Sequence, residues 1–175
     1  MKIKIKLEKP ECMPEQKGDW IDLKSAEQVS LSPMRIVNRR RRDTDKTASS
    51  PMWKVVKLSL GVAMQIPKGY EAVILPRSSS FKNYGVMLVN SQGVIDNKYC
   101  GNNDIWKFQA LCVVRGEYTD IEVGDRVAQF RIQLSQNATF WQKLKWLFNN
   151  GKIEFEVVED LGNENRGGFG HTGIK

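Results

Sequence analysis

The chain has 175 residues, 41% of them apolar, which suits one compact domain with its own core and no need of covalent staples. Its three cysteines, Cys12, Cys100 and Cys112, are odd in number and too scattered for a zinc pair, which argues against disulfide and metal frameworks. Lys and Arg outnumber Asp and Glu by 27 to 20, a net charge of +7 that favours polyanionic partners, nucleic acid or nucleotide phosphates, without choosing between them.

In chain order, Ile3, Ile5 and Leu7 alternate with lysines. This is the period of a half-buried strand, and it lacks the continuous apolar run of a signal peptide or membrane span. A soluble, cytoplasmic protein without membrane contact is expected. Residues 32–52 are polar, basic and rich in Ser and Thr, with Arg39, Arg40, Arg41 and Arg42 in succession, and read as an extended surface loop. Short apolar runs follow at residues 55–66, 70–75, 86–89, 108–114, 127–134 and 153–158. Turn signals separate them at Pro67-Lys68-Gly69, Ser91-Gln92-Gly93, Arg115-Gly116 and Val123-Gly124-Asp125. The rhythm predicts a mainly β fold, a sandwich or barrel of many short strands, and a jelly roll fits.

One helix interrupts that rhythm within residues 137–150. Thr139 and Gln142 have capping-box spacing; Phe140, Leu144, Leu147 and Phe148 share a face, with Trp141 beside them and Trp146 off the stripe. It is expected to pack on the barrel, a partner-docking role being the alternative. Residues 1–162 are expected to form a single β-barrel domain. The glycine-rich tail, residues 163–175, has few apolar anchors and is predicted to be a mobile arm.

Five segments stand in a specific order along the chain. They are Asp19-Trp20-Ile21-Asp22-Leu23, Pro76-Arg77-Ser78-Ser79-Ser80, the stretch Asn90-Ser91-Gln92-Gly93-Val94-Ile95-Asp96-Asn97-Lys98-Tyr99-Cys100-Gly101, then Gly124-Asp125-Arg126-Val127-Ala128-Gln129, and Arg166-Gly167-Gly168-Phe169-Gly170-His171-Thr172-Gly173. In that order they resemble the five motifs of the dUTP pyrophosphatase family. The resemblance implies a jelly-roll-like β-barrel, Mg²⁺-dependent hydrolysis of dUTP to dUMP and pyrophosphate, and a homotrimer whose pockets are shared between subunits.

The third segment reads as a hairpin, with residues 86–90 and 94–99 flanking a turn that contains Gly93. Its fixed backbone at Gly93, Val94 and Ile95, with the Asn90 amide, can tell uracil from cytosine because a mismatch leaves a buried polar group unpaired. By resemblance Tyr99 stacks under the deoxyribose. Hydrolysis needs a base to deprotonate a water in line with phosphorus, and Asp96 is the residue assigned that role. The resemblance places Ser78, Ser79 and Gln129 at the phosphates, with Arg77 and Arg126 partly holding the site together. Mg²⁺ is satisfied largely by phosphate oxygens and water, so Asp22 touches it through water only. Arg166 with the backbone of Gly170, His171 and Thr172 grips the outer phosphates while Phe169 stacks on uracil, the arm coming from a neighbouring subunit.

Three positions depart from the family pattern: Trp20 replaces a glycine, Cys100 an arginine and His171 a serine. dCTP deaminase is the enzymatic rival, but it uses a glutamate shortly after the hairpin, where this chain has Asn102 and Asn103. The alternative of a different class is a regulatory role, with protein or nucleic acid bound by the arginine cluster and the helix.

Overall fold

The alternation at the start of the chain folds as read. In a computed structural model, strand β1 (Lys2–Leu7) buries Ile3 and Ile5 completely and leaves Lys2 and Lys4 exposed. The structure describes residues 1–31, 35–40, 47–52, 55–113, 118–148 and 152–168, and of 35–40 and 47–52 the backbone alone. The first third continues with β2 (Glu15–Gln16), β3 (Ile21–Lys24), β4 (Val29–Leu31), β5 (Arg35–Arg40) and β6 (Thr47–Met52). Next come β7 (Val55–Ser59), β8 (Val62–Gln65), β9 (Tyr70–Pro76), helix α1 (Ser80–Tyr84), β10 (Val86–Leu88) and β11 (Gly93–Asp96). The last stretch holds β12 (Lys107–Cys112), β13 (Thr119–Ile121), β14 (Arg126–Leu134), helix α2 (Phe140–Leu147) and β15 (Glu154–Val157).

Among the described residues these strands form small sheets packed on one another rather than one closed ring. Their orders are β15-β1-β8, β10-β12-β7 and β11-β9-β14-β3-β2, with two-stranded pairs β13-β4 and β5-β6. The mainly β, jelly-roll-like expectation stands. Inward residues of the three larger sheets meet in one core, where Trp106 and Phe130 are fully buried and pack edge to face at 5.1 Å. Each fully buried side chain of this size contributes roughly 1.5–3 kcal/mol.

The run over residues 55–66 is two strands, not one, because Gly61 breaks it with φ +65°. A Cβ on Gly61 would lie 2.8 Å from Cys12 Cβ and 2.9 Å from Ala26 Cβ, and closer still to the Cys12 sulfur. Gly61→Ala is therefore expected to destabilise by about 2–4 kcal/mol, combining left-handed strain with overpacking. Equilibrium denaturant unfolding checks it, and a loss below about 0.5 kcal/mol, the range of harmless surface changes, would contradict it.

Three expectations need correction. The loop over residues 32–52 contains a ladder, because β5 and β6 pair antiparallel from Arg35↔Met52 to Arg40↔Thr47. Ile36 and Val37 suit a strand, and Pro51 is tolerated since each strand of a two-stranded ladder is an edge. Arg39 and Arg40 lie on β5, and Arg41 and Arg42 lie outside the described residues.

The expected hairpin is an arch between sheets. β10 pairs with β12, while β11 pairs with β9, so each segment finds its ladder in a different sheet. The bend lies before Gly93, where Ser91 takes φ +59°; Gly93 itself opens β11.

Helix α2 has the predicted cap, the Thr139 hydroxyl accepting from Gln142 N–H and the Gln142 side chain from Thr139 N–H. Most of its apolar stripe, however, faces outward: Phe140, Leu147 and Phe148, with Trp141 beside them, are 70–82% exposed, and of the stripe Leu144 alone is half-buried. The inward side carries Gln142, whose amide donates to Lys68 O at 2.8 Å, and Trp146, whose ring packs on Tyr70 at 5.6 Å. These two positions are one turn apart, so they set the helix's roll.

Candidate active site

Strand register brings the first, second and fourth motifs to one end of the five-stranded sheet. Asp22 on β3 stands opposite Gln129 on β14, which stands opposite Leu75 on β9, two residues before Arg77. A register shift in β14 between Arg126 and Ala128 frees the Val127 carbonyl to accept from the buried Ser80 hydroxyl at 2.7 Å. Ser80 Oγ in turn accepts from Arg77 N–H at 3.1 Å, fixing the turn that follows β9. Helix α1 then closes on Gly85 in the left-handed conformation, φ +58°.

Asp22, only 7% exposed, is the hub of this end. It accepts from Arg77 Nε at 2.8 Å through one oxygen and from Arg126 Nη1 at 3.1 Å through the other. A buried carboxylate is tolerable when paired this fully, and here it holds both guanidiniums in place. Two positive charges against one negative leave a net positive charge at the surface of the cluster, which suits an anion. Arg77 also reaches Ser79 Oγ at 3.5 Å and Arg126 O at 3.3 Å. The Gln129 amide donates to Pro76 O at 3.1 Å, and the hydroxyl-bearing Ser78 is exposed beside it on the turn.

The third motif lies elsewhere. Asp96 ends β11, opposite Glu71 of β9. Its Oδ1 accepts from Lys98 N–H at 2.8 Å, and its Oδ2 from Arg166 Nη1. Burial pushes the Asp96 carboxyl up, but the Arg166 guanidinium and the Lys98 and Tyr99 backbone together outweigh it, so the group sits below the usual carboxylate range. It is ionised at neutral pH. Tyr99 follows, half-buried, its hydroxyl donating to Ile105 O at 3.0 Å and its ring lying against Gly168. Val94 is exposed, Gly93 and Ile95 are half-buried, and the Asn90 amide donates to Gln92 O at 3.2 Å.

Within one chain the two groups do not meet. Glu71 and Leu75 are four residues apart on β9, roughly 13 Å, and Gln129 and Asp96 lie on opposite sides of that strand, roughly 10 Å apart in the other direction. A base must come within about 3 Å of the proton it takes, directly or through one water.

Two of the three departures have local accounts. Trp20 holds the Arg131 guanidinium over its ring at 5.0 Å. Burial and the Asp104 and Asp96 carboxylates push the Cys100 thiol up, leaving it neutral where the family pattern has a cation. Phe169, Gly170, His171 and Thr172 lie outside the described residues.

The family model for dUTPase matches residues 43–144. This chain belongs to the dUTPase family. It is 39% identical over 160 residues to the SPbeta prophage-derived deoxyuridine 5'-triphosphate nucleotidohydrolase YosS of Bacillus subtilis, covering 91% of this chain and 87% of that one. The dUTPase of Streptococcus mutans superposes with a TM-score of 0.60 at 21% identity, over 78% of this chain and 98% of its own. A mutant dUTPase from phage phi11 of S. aureus, described for its coordination of a structural Mg(II) ion, superposes with a TM-score of 0.56 at 18% identity, over 79% and 94%. These two likenesses speak to the dUTPase fold, and the relatives' shared name to the activity, that of a dUTP diphosphatase.

Sequence reasoning missed one dUTPase site neighbour. Asp104, 1% exposed, binds the backbone of the arm at Arg166 and Gly167. A carboxylate that binds only backbone N–H groups leaves no residue-type pattern to read.

Proposed function

We propose that dUTP is hydrolysed at pockets completed between copies of this chain, with Asp96 of one copy facing the Asp22–Arg77–Arg126 cluster of another. The separation of the two groups on one sheet is the observation that carries this reading. Asp96 accepts a proton from a water whose oxygen attacks the α-phosphorus, and pyrophosphate leaves with the electrons of the broken P–O bond. Arg77, Arg126, Gln129 and the Ser78–Ser79 turn receive the phosphates, and Asp22 keeps the two guanidiniums aimed at them. Arg166 leaves Asp96 for the triphosphate when substrate binds, which both frees the base and grips the leaving group.

The arrangement is a homotrimer in which each arm, travelling with its own Asp96, closes over a neighbour's phosphate cluster. Phe169 stacks on uracil and the backbone of Gly170, His171 and Thr172 completes the grip. Gly93, Val94, Ile95 and Asn90 read the base, and Tyr99 supports the sugar.

Mg²⁺ fits this donor set only as a passenger of the triphosphate. Both oxygens of Asp22 already accept from guanidiniums, and among the described residues no group of three His, Cys, Asp or Glu is placed to hold a metal. Bound with substrate, the ion would neutralise phosphate charge, with Asp22 in contact through water.

The test is pyrophosphate release from dUTP, dCTP, dTTP and UTP with Mg²⁺, run with refolded mixtures of Asp96→Asn and Arg126→Ala subunits. Release from dUTP alone is expected, with each variant inactive and the mixture active. A mixture as inactive as its components would overturn the shared pocket, and ammonia from dCTP would overturn the substrate.

A further inference from the structure

The root of the arm does not hang free. Asp104 Oδ2 accepts from Gly101 N–H at 2.9 Å and from Arg166 N–H at 2.9 Å, while Oδ1 accepts from Arg166 N–H at 3.1 Å and Gly167 N–H at 2.9 Å. A charge this deeply buried is costly unless its hydrogen bonds are made, and two of the three N–H groups that make them belong to the arm. Removing the arm would strip Asp104 of most of its partners.

Gly101 supplies a second, independent sign. A Cβ there would stand 2.6 Å from Asn165 Cα and 2.7 Å from Glu164 O, both backbone atoms of the arm's root. Nothing in its own backbone conformation demands glycine, since its φ is not among the positive ones. The arm's approach demands it. Around this contact, Asn103 N–H donates to Asn165 Oδ1 at 2.7 Å, Asn163 Nδ2 to Cys100 O at 3.3 Å, and Leu161 N–H to Asn102 Oδ1 at 2.9 Å.

We infer that the loop over residues 100–104 is a clasp for the arm, with Asp104 and the bare Cα of Gly101 as positioning residues that aim the Arg166 guanidinium at the reacting centre. The two N–H groups bound by Asp104 are those of Arg166 itself and its neighbour, so the clasp fixes the Arg166 backbone while its side chain remains free to swing between Asp96 and phosphate. This rests on the reading of Arg166 as a phosphate-gripping group. Asp104 touches neither substrate nor base and acts only through the arm.

The experiment uses the full chain carrying Gly101→Ala or Asp104→Asn, each alone and combined with Arg166→Ala. kcat and KM for dUTP are measured, together with tryptic cleavage of the Arg166–Gly167 bond in the Gly101→Ala and Asp104→Asn single variants. Gly101→Ala and Asp104→Asn are each expected to lower kcat/KM by about 10- to 100-fold, the cost of misplacing a reacting geometry by an ångström or so. In the Arg166→Ala background either should add less than about 2-fold, because the group they aim is gone. Cleavage after Arg166 should quicken in both single variants. Equal losses in the two backgrounds, or unchanged tryptic cleavage, would overturn the clasp. Should Asp104→Asn fail to fold, Gly101→Ala carries the test, since the nearest atoms its Cβ would meet belong to the arm. Quickened cleavage with full activity in Arg166→Ala would keep the clasp and instead sink the reading of Arg166.

Discussion

Asp96→Asn is expected to abolish turnover almost completely, lowering kcat by about 10²- to 10⁴-fold, the contribution typical of a placed general base. The change is isosteric, and the asparagine carbonyl can still accept from Lys98 N–H as Asp96 Oδ1 does at 2.8 Å, so the bend after β11 should keep its shape. What disappears is the charge that takes the proton and pairs with Arg166. KM should stay level or fall, because Arg166 no longer has to leave a carboxylate to meet phosphate. Steady-state kinetics with binding of a non-hydrolysable dUTP analogue separates the two effects. A variant that keeps more than a tenth of parental kcat would remove Asp96 from the reaction.

Arg166→Ala is the second large effect, and it has two parts. Loss of a guanidinium aimed at developing phosphate charge should lower kcat/KM by about 10²- to 10³-fold. The pH profile should also move. In the parent, Arg166 and the backbone N–H groups hold the Asp96 carboxyl below its usual range against the upward push of burial. Without Arg166 a lowering influence is lost and burial remains, so the acid limb of kcat/KM shifts to higher pH. The sign is fixed: a depressed carboxylate works above its own pKa, and raising that pKa narrows the active range from the acid side. An acid limb that stays in place, or moves lower, would show that the pairing with Asp96 is irrelevant to the working enzyme.

Much of this was legible in the sequence, for reasons that can be named. β1, β12 and β14 each alternate long enough for the period to show, β9 shows instead as a continuous apolar run, and Gly69 and Gly124, at φ +88° and +89°, sit in the turns predicted for them. The motif order pointed to Asp22, Arg77 and Arg126, and ladder register is what gathers them. β2, β4 and β13 have two or three residues each, too few for any period to declare itself. The arch at residues 89–92 is not legible in the sequence because partner choice between strands is a long-range matter: local alternation is the same whether β10 and β11 pair with each other or with β12 and β9. The capping-box spacing predicts where helix α2 starts, but the stripe does not predict its roll. A stripe of apolar residues points inward only when the rest of the fold offers it a surface, and here Tyr70 and Lys68 offered theirs to Trp146 and Gln142.

The parallel pairing of β1 with β15, Lys2 opposite Glu154, also bears on how the chain matures on the ribosome. β1 can find β8 early, through pairs such as Ile5 with Met64. Its other edge stays open until residues 154–157 have left the exit tunnel, so the nascent protein carries an unsatisfied strand edge through most of its translation. Such late closure slows folding and lengthens the interval in which neighbouring polysome chains can associate wrongly. Slower synthesis would lengthen that exposure, whereas a chaperone able to cover the β1 edge would raise the yield of native subunits.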